Sequence, residues 1–298
     1  MDSLHSPHDI EDFLSSSTSP VVEMVYTPDS LARHGWHVWG NMLREFLDSR
    51  ELVWCLIRRD ISARYRQSVL GYLWAVLPSV VTVTVFAALT QSQTIAIVET
   101  PLPYVAYALW NISFWQFFAG CFSACTNSLA SAGSLVSKVN FPKEVLVVAA
   151  IGQPLLDFVI RLLLVMFVFF WYEVPFRAQT LFLPLIVLPA ILLATGMGFV
   201  SSITHLVLRD VGSMVAMGLT FAMFLTPILY PPPTTWPLSL INVVNPFSPL
   251  LIASQDLITY GSLSMPGTFL LYCLFSMLMF LSGWRLFRLA MPRVSVYT

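Results

Sequence analysis

The sequence predicts an all-α polytopic membrane protein: six transmembrane helices, an N-terminal amphipathic interfacial helix, and two short re-entrant helices between spans five and six. Three observations carry that expectation. The 298 residues are 57% hydrophobic and only 10% charged, with a mean hydropathy of +0.75, whereas a soluble domain carries roughly a quarter charged residues. Six runs reach the ~20 apolar residues that cross hydrocarbon, at about 70–90, 104–127, 145–171, 180–204, 212–230 and 267–289. If these runs alternate, Arg58 to Arg66, Lys138, Lys143, Arg209, Arg285, Arg288 and Arg293 fall on one side, and only Arg177 on the other.

Residues 1–35 read as a mobile cytoplasmic tail. MDSLHSPHDIEDFLSSSTSP is acidic and Ser-rich, with neither the basic nor the apolar region of a cleavable signal. Both termini are therefore expected in the cytoplasm. Residues 36–68 read as the interfacial helix region. On a helical wheel Leu43, Leu47, Trp54, Ile57, Ile61 and Tyr65 form one stripe, with Arg59, Asp60 and Arg66 elsewhere. A basic polar face opposite a Trp-bearing apolar face suits the membrane interface.

Residues 69–298 form the expected six-span domain. Its second span concentrates aromatic rings in the outer half, with Tyr104, Tyr107, Trp110, Phe114 and Phe118 in a helical stripe and Trp115 beside it. Such a stripe can pack against other helices or offer rings to the faces of sugars. Tyr72 and Trp74 join the same bundle. Asp157 and Arg161 are the one strongly ionisable pair inside a span and share a face at i, i+4, so they are either a functional site or a self-neutralising structural pair. Between spans five and six, residues 231–265 hold two apolar pieces, Trp236 to Val244 and Phe247 to Ile258, split by Asn245-Pro246. Each is too short to cross, and two re-entrant helices or a small external cap would account for them.

The chemistry of an enzyme is missing. None of the thirteen glycines precedes a lysine, which excludes a P-loop, and neither HExxH nor GxSxG occurs. No metal set is expected, and the four cysteines read as packing residues. Arg58, Arg59, Arg64 and Arg66 lie beside a span, so anionic lipid head groups are nearer partners than nucleic acid.

LIRRDISARYRQSVLGYLWAVLPS, LVSKVNFPKEVL, LRDVGSMV, FLTPILYP and NPFSPLLIASQDLI occur in that order. Together they resemble the permease subunit of type-2 ABC exporters for polysaccharides and polyol phosphates, the group that exports O-antigen, teichoic acid and capsule chains. The likeness covers about residues 50–290. It implies a homodimer in the bacterial inner membrane that pairs with two copies of a separate ATPase subunit. ATP and Mg would bind there, and this chain would bind no cofactor. It also implies that the helix through Arg58, Arg59, Arg64 and Arg66 gates a lipid-linked glycan. Coupling to the ATPase would lie in 129–144, with Ser137, Lys138, Phe141, Pro142, Lys143 and Glu144. Gln255-Asp256 depart from the family pattern, where an Arg is expected, and the acidic tail has no counterpart in it. Two other readings stay open: export of small hydrophobic compounds, and a membrane-embedded glycosyl- or acyltransferase.

Overall fold

The computed structural model describes residues 36–65, 71–91, 100–133, 141–233, 235–236 and 238–294. Among these residues all regular structure is helical. The chain opens with α1 (Trp36–Asp48) and α2 (Arg50–Tyr65), so the single helix expected there is interrupted at Ser49, whose hydroxyl donates to the Glu45 carbonyl at 2.9 Å.

The expected first span is α3 (Leu73–Gln91), and the second is α4 (Tyr104–Ala132), 29 residues long with polar side chains along its whole length. The third is α5 (Glu144–Ala149) followed by α6 (Gly152–Trp171). The break has a local cause, because Pro154 has no N–H to offer the carbonyl four residues back. A 3₁₀ turn at Ala178–Phe182 leads into α7 (Leu183–Val207), and α8 (Asp210–Leu225) follows. α8 stops because Pro227 forces its predecessor out of the helical region, and Thr226 accordingly sits at φ −88°, ψ 138°. The last long helix is α11 (Pro266–Val294).

Of the two apolar pieces before it, the second is a twelve-residue helix, α10 (Ser248–Thr259), eleven of whose residues are buried. The first is only a 3₁₀ turn, Leu238–Leu240, and a single turn, α9 (Ile241–Val244). Among the described residues, three segments are long and apolar enough to cross a membrane: Glu144–Trp171, Ala178–Val207 and Pro266–Pro292. α3 and α8 are apolar but shorter.

α7 lies at the centre, packed on α4 and on α11. Two glycines let it do so. A Cβ on Gly196 would come within 2.6 Å of the Met279 backbone, and one on Gly283 within 2.3 Å of the Gly196 carbonyl oxygen. On the other side, a Cβ on Gly198 would meet the Cys125 Cβ at 2.3 Å. Inside a bilayer, where lipid is as apolar as Leu, such close backbone approach replaces hydrophobic burial as the source of helix association.

The extended stretch after α8 shows how an interrupted helix is tolerated within the bundle. Four successive carbonyls are each met by a side chain. Gln255 Nε2 donates to Pro227 at 3.1 Å, Asn111 Nδ2 to Ile228 at 3.0 Å, Tyr104 OH to Leu229 at 3.3 Å and Tyr107 OH to Tyr230 at 3.3 Å. Backbone groups in a low-dielectric interior must be satisfied within the protein, and α4 and α10 supply the donors. Asn245 completes the arrangement by donating to Thr226 Oγ1 at 2.6 Å and accepting from the Phe247 N–H at 3.0 Å.

Candidate functional site

α2 docks on the bundle through Leu56, which is 5% exposed, and through Ile57, whose side chain fills the space above Gly152 at the start of α6. α1 docks through the fully buried Met42, through Trp39 and Phe46, whose rings meet the Trp284 ring edge-on, and through an ion pair from Arg288 of α11 to Glu45. The stripe expected from the sequence therefore divides. Of its residues Ile57 packs against protein, while Leu43, Leu47 and Trp54 are more than half exposed; Met42, Phe46 and Leu56, which face protein, lie outside it.

Arg58, Arg59 and Arg64 all lie on the exposed side of α2. Arg59 pairs with its neighbour Asp60 at 2.8 Å, both largely in solvent. Arg66 lies outside the described residues, as do Ser137 and Lys138.

Behind Arg64 a groove runs between α2 and α3 on one side and α4 and α6 on the other. Its outer part is a cavity of about 560 Å³ that includes Arg59, Asp60 and Arg64, and its inner part is a cavity of about 460 Å³ that reaches Asp157 and Arg161. Arg64, Ala124, Asn127 and Gln153 border both. Arg161 lies nine residues into α6, ~13 Å from its start at 1.5 Å per residue.

Arg161 is 5% exposed and anchored. Its Nε donates to the Asp157 carbonyl at 3.1 Å and its Nη1 to Gln116 Oε1 at 2.8 Å. The same Gln116 oxygen accepts from the fully buried Ser79 Oγ at 2.9 Å. A guanidinium inside an apolar bundle is costly unless its donors are taken up, and here α3, α4 and α6 contribute to doing so.

The structure corrects the expectation for the aromatic stripe. Tyr107, Trp110, Phe114, Trp115 and Phe118 are each at most 4% exposed. Phe118 stacks on Phe247 at 4.4 Å, Trp110 on Phe114 at 5.8 Å, and Trp110 Nε1 donates to Ser254 at 3.0 Å. The rings fasten α4 to α6 and α10, and Tyr104 and Tyr107 hold the extended segment after α8. Tyr72 and Trp74 differ, at 53% and 52% exposed, and Trp74 borders the inner cavity.

At the described end of the coupling segment, Lys143 Nζ sits 4.3 Å from the centre of the Phe141 ring, a cation–π contact. Burial holds the Lys143 amine below its ordinary pKa. Pro142 is half-buried beside them. Glu144 turns inward at 4% exposed, within electrostatic reach of Arg288 and Glu45.

Sequence reasoning missed Gln116, Asn127 and Gln153. Their signal was present, because Gln116, Gly120, Ser123 and Asn127 follow at i, i+4, i+7 and i+11 along one face of α4. Gln255 and Asp256, left without a role, take backbone partners: Gln255 as above, and Asp256 by accepting from the Ser264 N–H at 2.9 Å. A third cavity, about 390 Å³ and lined by Trp110, Phe158 and aliphatic side chains of α6 and α7, shares no residue with the arginine groove.

Comparison with known proteins bears on most of the chain. The family described as ABC-2 type transporter matches residues 51–259. An O-antigen export system permease protein, RfbA, of Klebsiella pneumoniae is 27% identical over 232 residues, covering 74% of this chain and 85% of that protein. A second protein of that name from Klebsiella pneumoniae is 24% identical over the same coverage. One from Myxococcus xanthus is 25% identical over 219 residues, 72% of this chain and 83% of that protein.

Proposed function

The chain belongs to the ABC-2 type transporter family, and from that premise we propose that it is the channel-forming transmembrane subunit of an ATP-driven polysaccharide exporter. Its relatives named as O-antigen export permeases support the substrate class. The observation that carries the reading is the groove, two adjoining cavities that bring charged and amide side chains, from Arg59 and Arg64 of α2 through Asn127 and Gln153 to Asp157 and Arg161, into the bundle. A hydrated glycan needs such side chains, and a small hydrophobic cargo would instead use walls like those of the apolar cavity behind Trp110.

In this reading two copies and two ATPase subunits assemble in the bacterial inner membrane. Each copy spans it six times, with both termini in the cytoplasm. α2 lies in the interface with Leu43, Leu47 and Trp54 toward lipid, which explains their exposure. Arg58, Arg59, Arg64 and Arg66 receive the diphosphate that joins glycan to lipid, by charge-assisted hydrogen bonds. Phe141, Pro142 and Lys143, with Ser137 and Lys138 just before them, bear on the ATPase. Glu144 instead links that contact to α1 and α11. α10 lies at the outer exit.

Deletion of the gene tests the reading. Lipid-linked glycan then accumulates on the cytoplasmic leaflet, detected by fractionation and by the loss of surface polysaccharide. A deletion strain with normal surface glycan overturns it.

A further inference from the structure

At the foot of the third span, buried polar atoms stand open. Glu144 is 4% exposed, and its Oε1 finds no hydrogen-bond partner among the described residues. On α11, Trp284 Nε1 and Arg288 Nη1 are in the same condition. These atoms share one neighbourhood, since the Glu144 carboxylate lies within reach of both Arg288 and the Trp284 N–H. A buried polar atom left unbonded is costly, and one small displacement of Glu144 can satisfy an acceptor and two donors at once. Arg288 meanwhile uses its other nitrogen, Nη2, to hold Glu45 of α1. Glu45 and Glu144 repel each other, two carboxylates in competition for one guanidinium.

We propose that Arg288 is a latch on α1 that Glu144 releases: driven inward by the ATPase-facing segment, Glu144 takes the Arg288 and Trp284 donors, and Glu45 lets go of α11. The inference rests on the export reading above and deepens it by naming how a push at Phe141 to Lys143 reaches the arginines of α2. Glu144 is the first residue of α5 and follows Lys143 directly, so a shift of the coupling segment cannot leave it in place. α1 is tied to α11 by the ion pair and by the Trp39 and Phe46 rings on the Trp284 ring, so these ties end on the two residues that Glu144 engages. A guanidinium bonded to one carboxylate keeps donors for a second, but two carboxylates on one buried cation leave a net negative charge that weakens each pair. Glu45 is the one that leaves, because its side chain is 33% exposed and can turn to water. Only Ser49 separates α1 from α2, and a freed α1 carries Arg58, Arg59 and Arg64 with it.

Export by the full chain with its ATPase partner tests the latch. It is read as surface polysaccharide by gel profile, beside immunoblots of inserted protein and ATP hydrolysis by the purified complex in lipid nanodiscs. Glu144→Leu fills similar space without a charge, an exchange that a purely structural buried site tolerates. It is expected to insert and to support ATP hydrolysis as the wild type does, yet to lower surface polysaccharide about fivefold, the scale of one residue's share in a coupling path. Glu45→Gln in that background opens the latch by another route and restores most of the export.

Undiminished export in Glu144→Leu, or a loss that Glu45→Gln does not relieve, overturns the latch and leaves the export reading standing. A parallel loss of ATP hydrolysis overturns it as well, since Glu144 would then belong to the ATPase contact itself. Should Glu144→Leu fail to insert, Glu144→Gln, equally uncharged, decides by the same rescue. Surface polysaccharide that stays normal when the gene is deleted removes the export reading and the latch together.

Discussion

Asn111 shows what a single polar residue does in this bundle. It is fully buried in the middle of α4 and donates to the Ile228 carbonyl, which has lost its helical partner because α8 ends before Pro227. Asn111→Ala leaves that carbonyl buried and unsatisfied, at ~1–3 kcal/mol. We expect a lower unfolding temperature for the detergent-solubilised variant, measured by thermal scanning fluorimetry, and Asn111→Gln to recover little because its longer amide cannot occupy the same space. An unchanged unfolding temperature in Asn111→Ala would show that water replaces the side chain. Nothing in the sequence marked this residue. An asparagine in an apolar run announces a polar partner, but the partner is a backbone group more than a hundred positions away, and one-dimensional spacing cannot find it.

At the scale of the helices, what was legible followed from composition and what was hidden depended on contact. The positions of α3, α4, α6, α7 and α11 follow from apolar run length, whereas the run 212–230 overran Pro227, before which α8 ends at Leu225. The stripe read from residues 41–66 faces two different surroundings. A helical wheel separates apolar from polar and cannot separate a protein contact from an open surface, so Ile57 and Trp54 look alike in it. The aromatic stripe of α4 left helix packing and cargo contact both open for the same reason, since rings that bind helices together and rings that face a cargo have the same periodicity. Gly196 and Gly283 were equally silent, because their value lies in the 2.3 Å clearance that an absent methyl group would violate.

That clearance makes a prediction about the α7–α11 crossing. Gly196→Val must push two backbones apart, and overpacking of this kind costs ~1–3 kcal/mol or more. Membrane-inserted protein should fall severalfold on quantitative immunoblotting. Gly218→Val on α8 meets open space and serves as the control, with near-normal amounts expected. Equal amounts of the two variants would mean that the crossing tolerates separation.

Across the whole molecule, Arg59 and Arg64 of α2 border a groove that reaches Arg161 inside the bundle. Replacing Arg58, Arg59, Arg64 or Arg66 singly by Ala is expected to lower surface polysaccharide, read by gel profile, without lowering the amount of inserted protein. The loss should be greatest for Arg64, which borders both cavities. Unchanged export in all four variants would separate α2 from the transport path. The groove was hard to read from the sequence, since its walls come from helices distant in the chain, and only the i, i+4, i+7, i+11 spacing on α4 hinted at one of them.

The glycine crossing also bears on how such a molecule can move. Side chains give a packed pair of helices some play, because rotamers can change while the axes slide. Where Gly196 meets Gly283 there are no rotamers to change, and Gly198 seats Cys125 just as closely on the other flank. α4, α7 and α11 are therefore expected to keep their mutual placement as one block, a stator, with relative displacement falling to α1, α2, α3 and α8 around it.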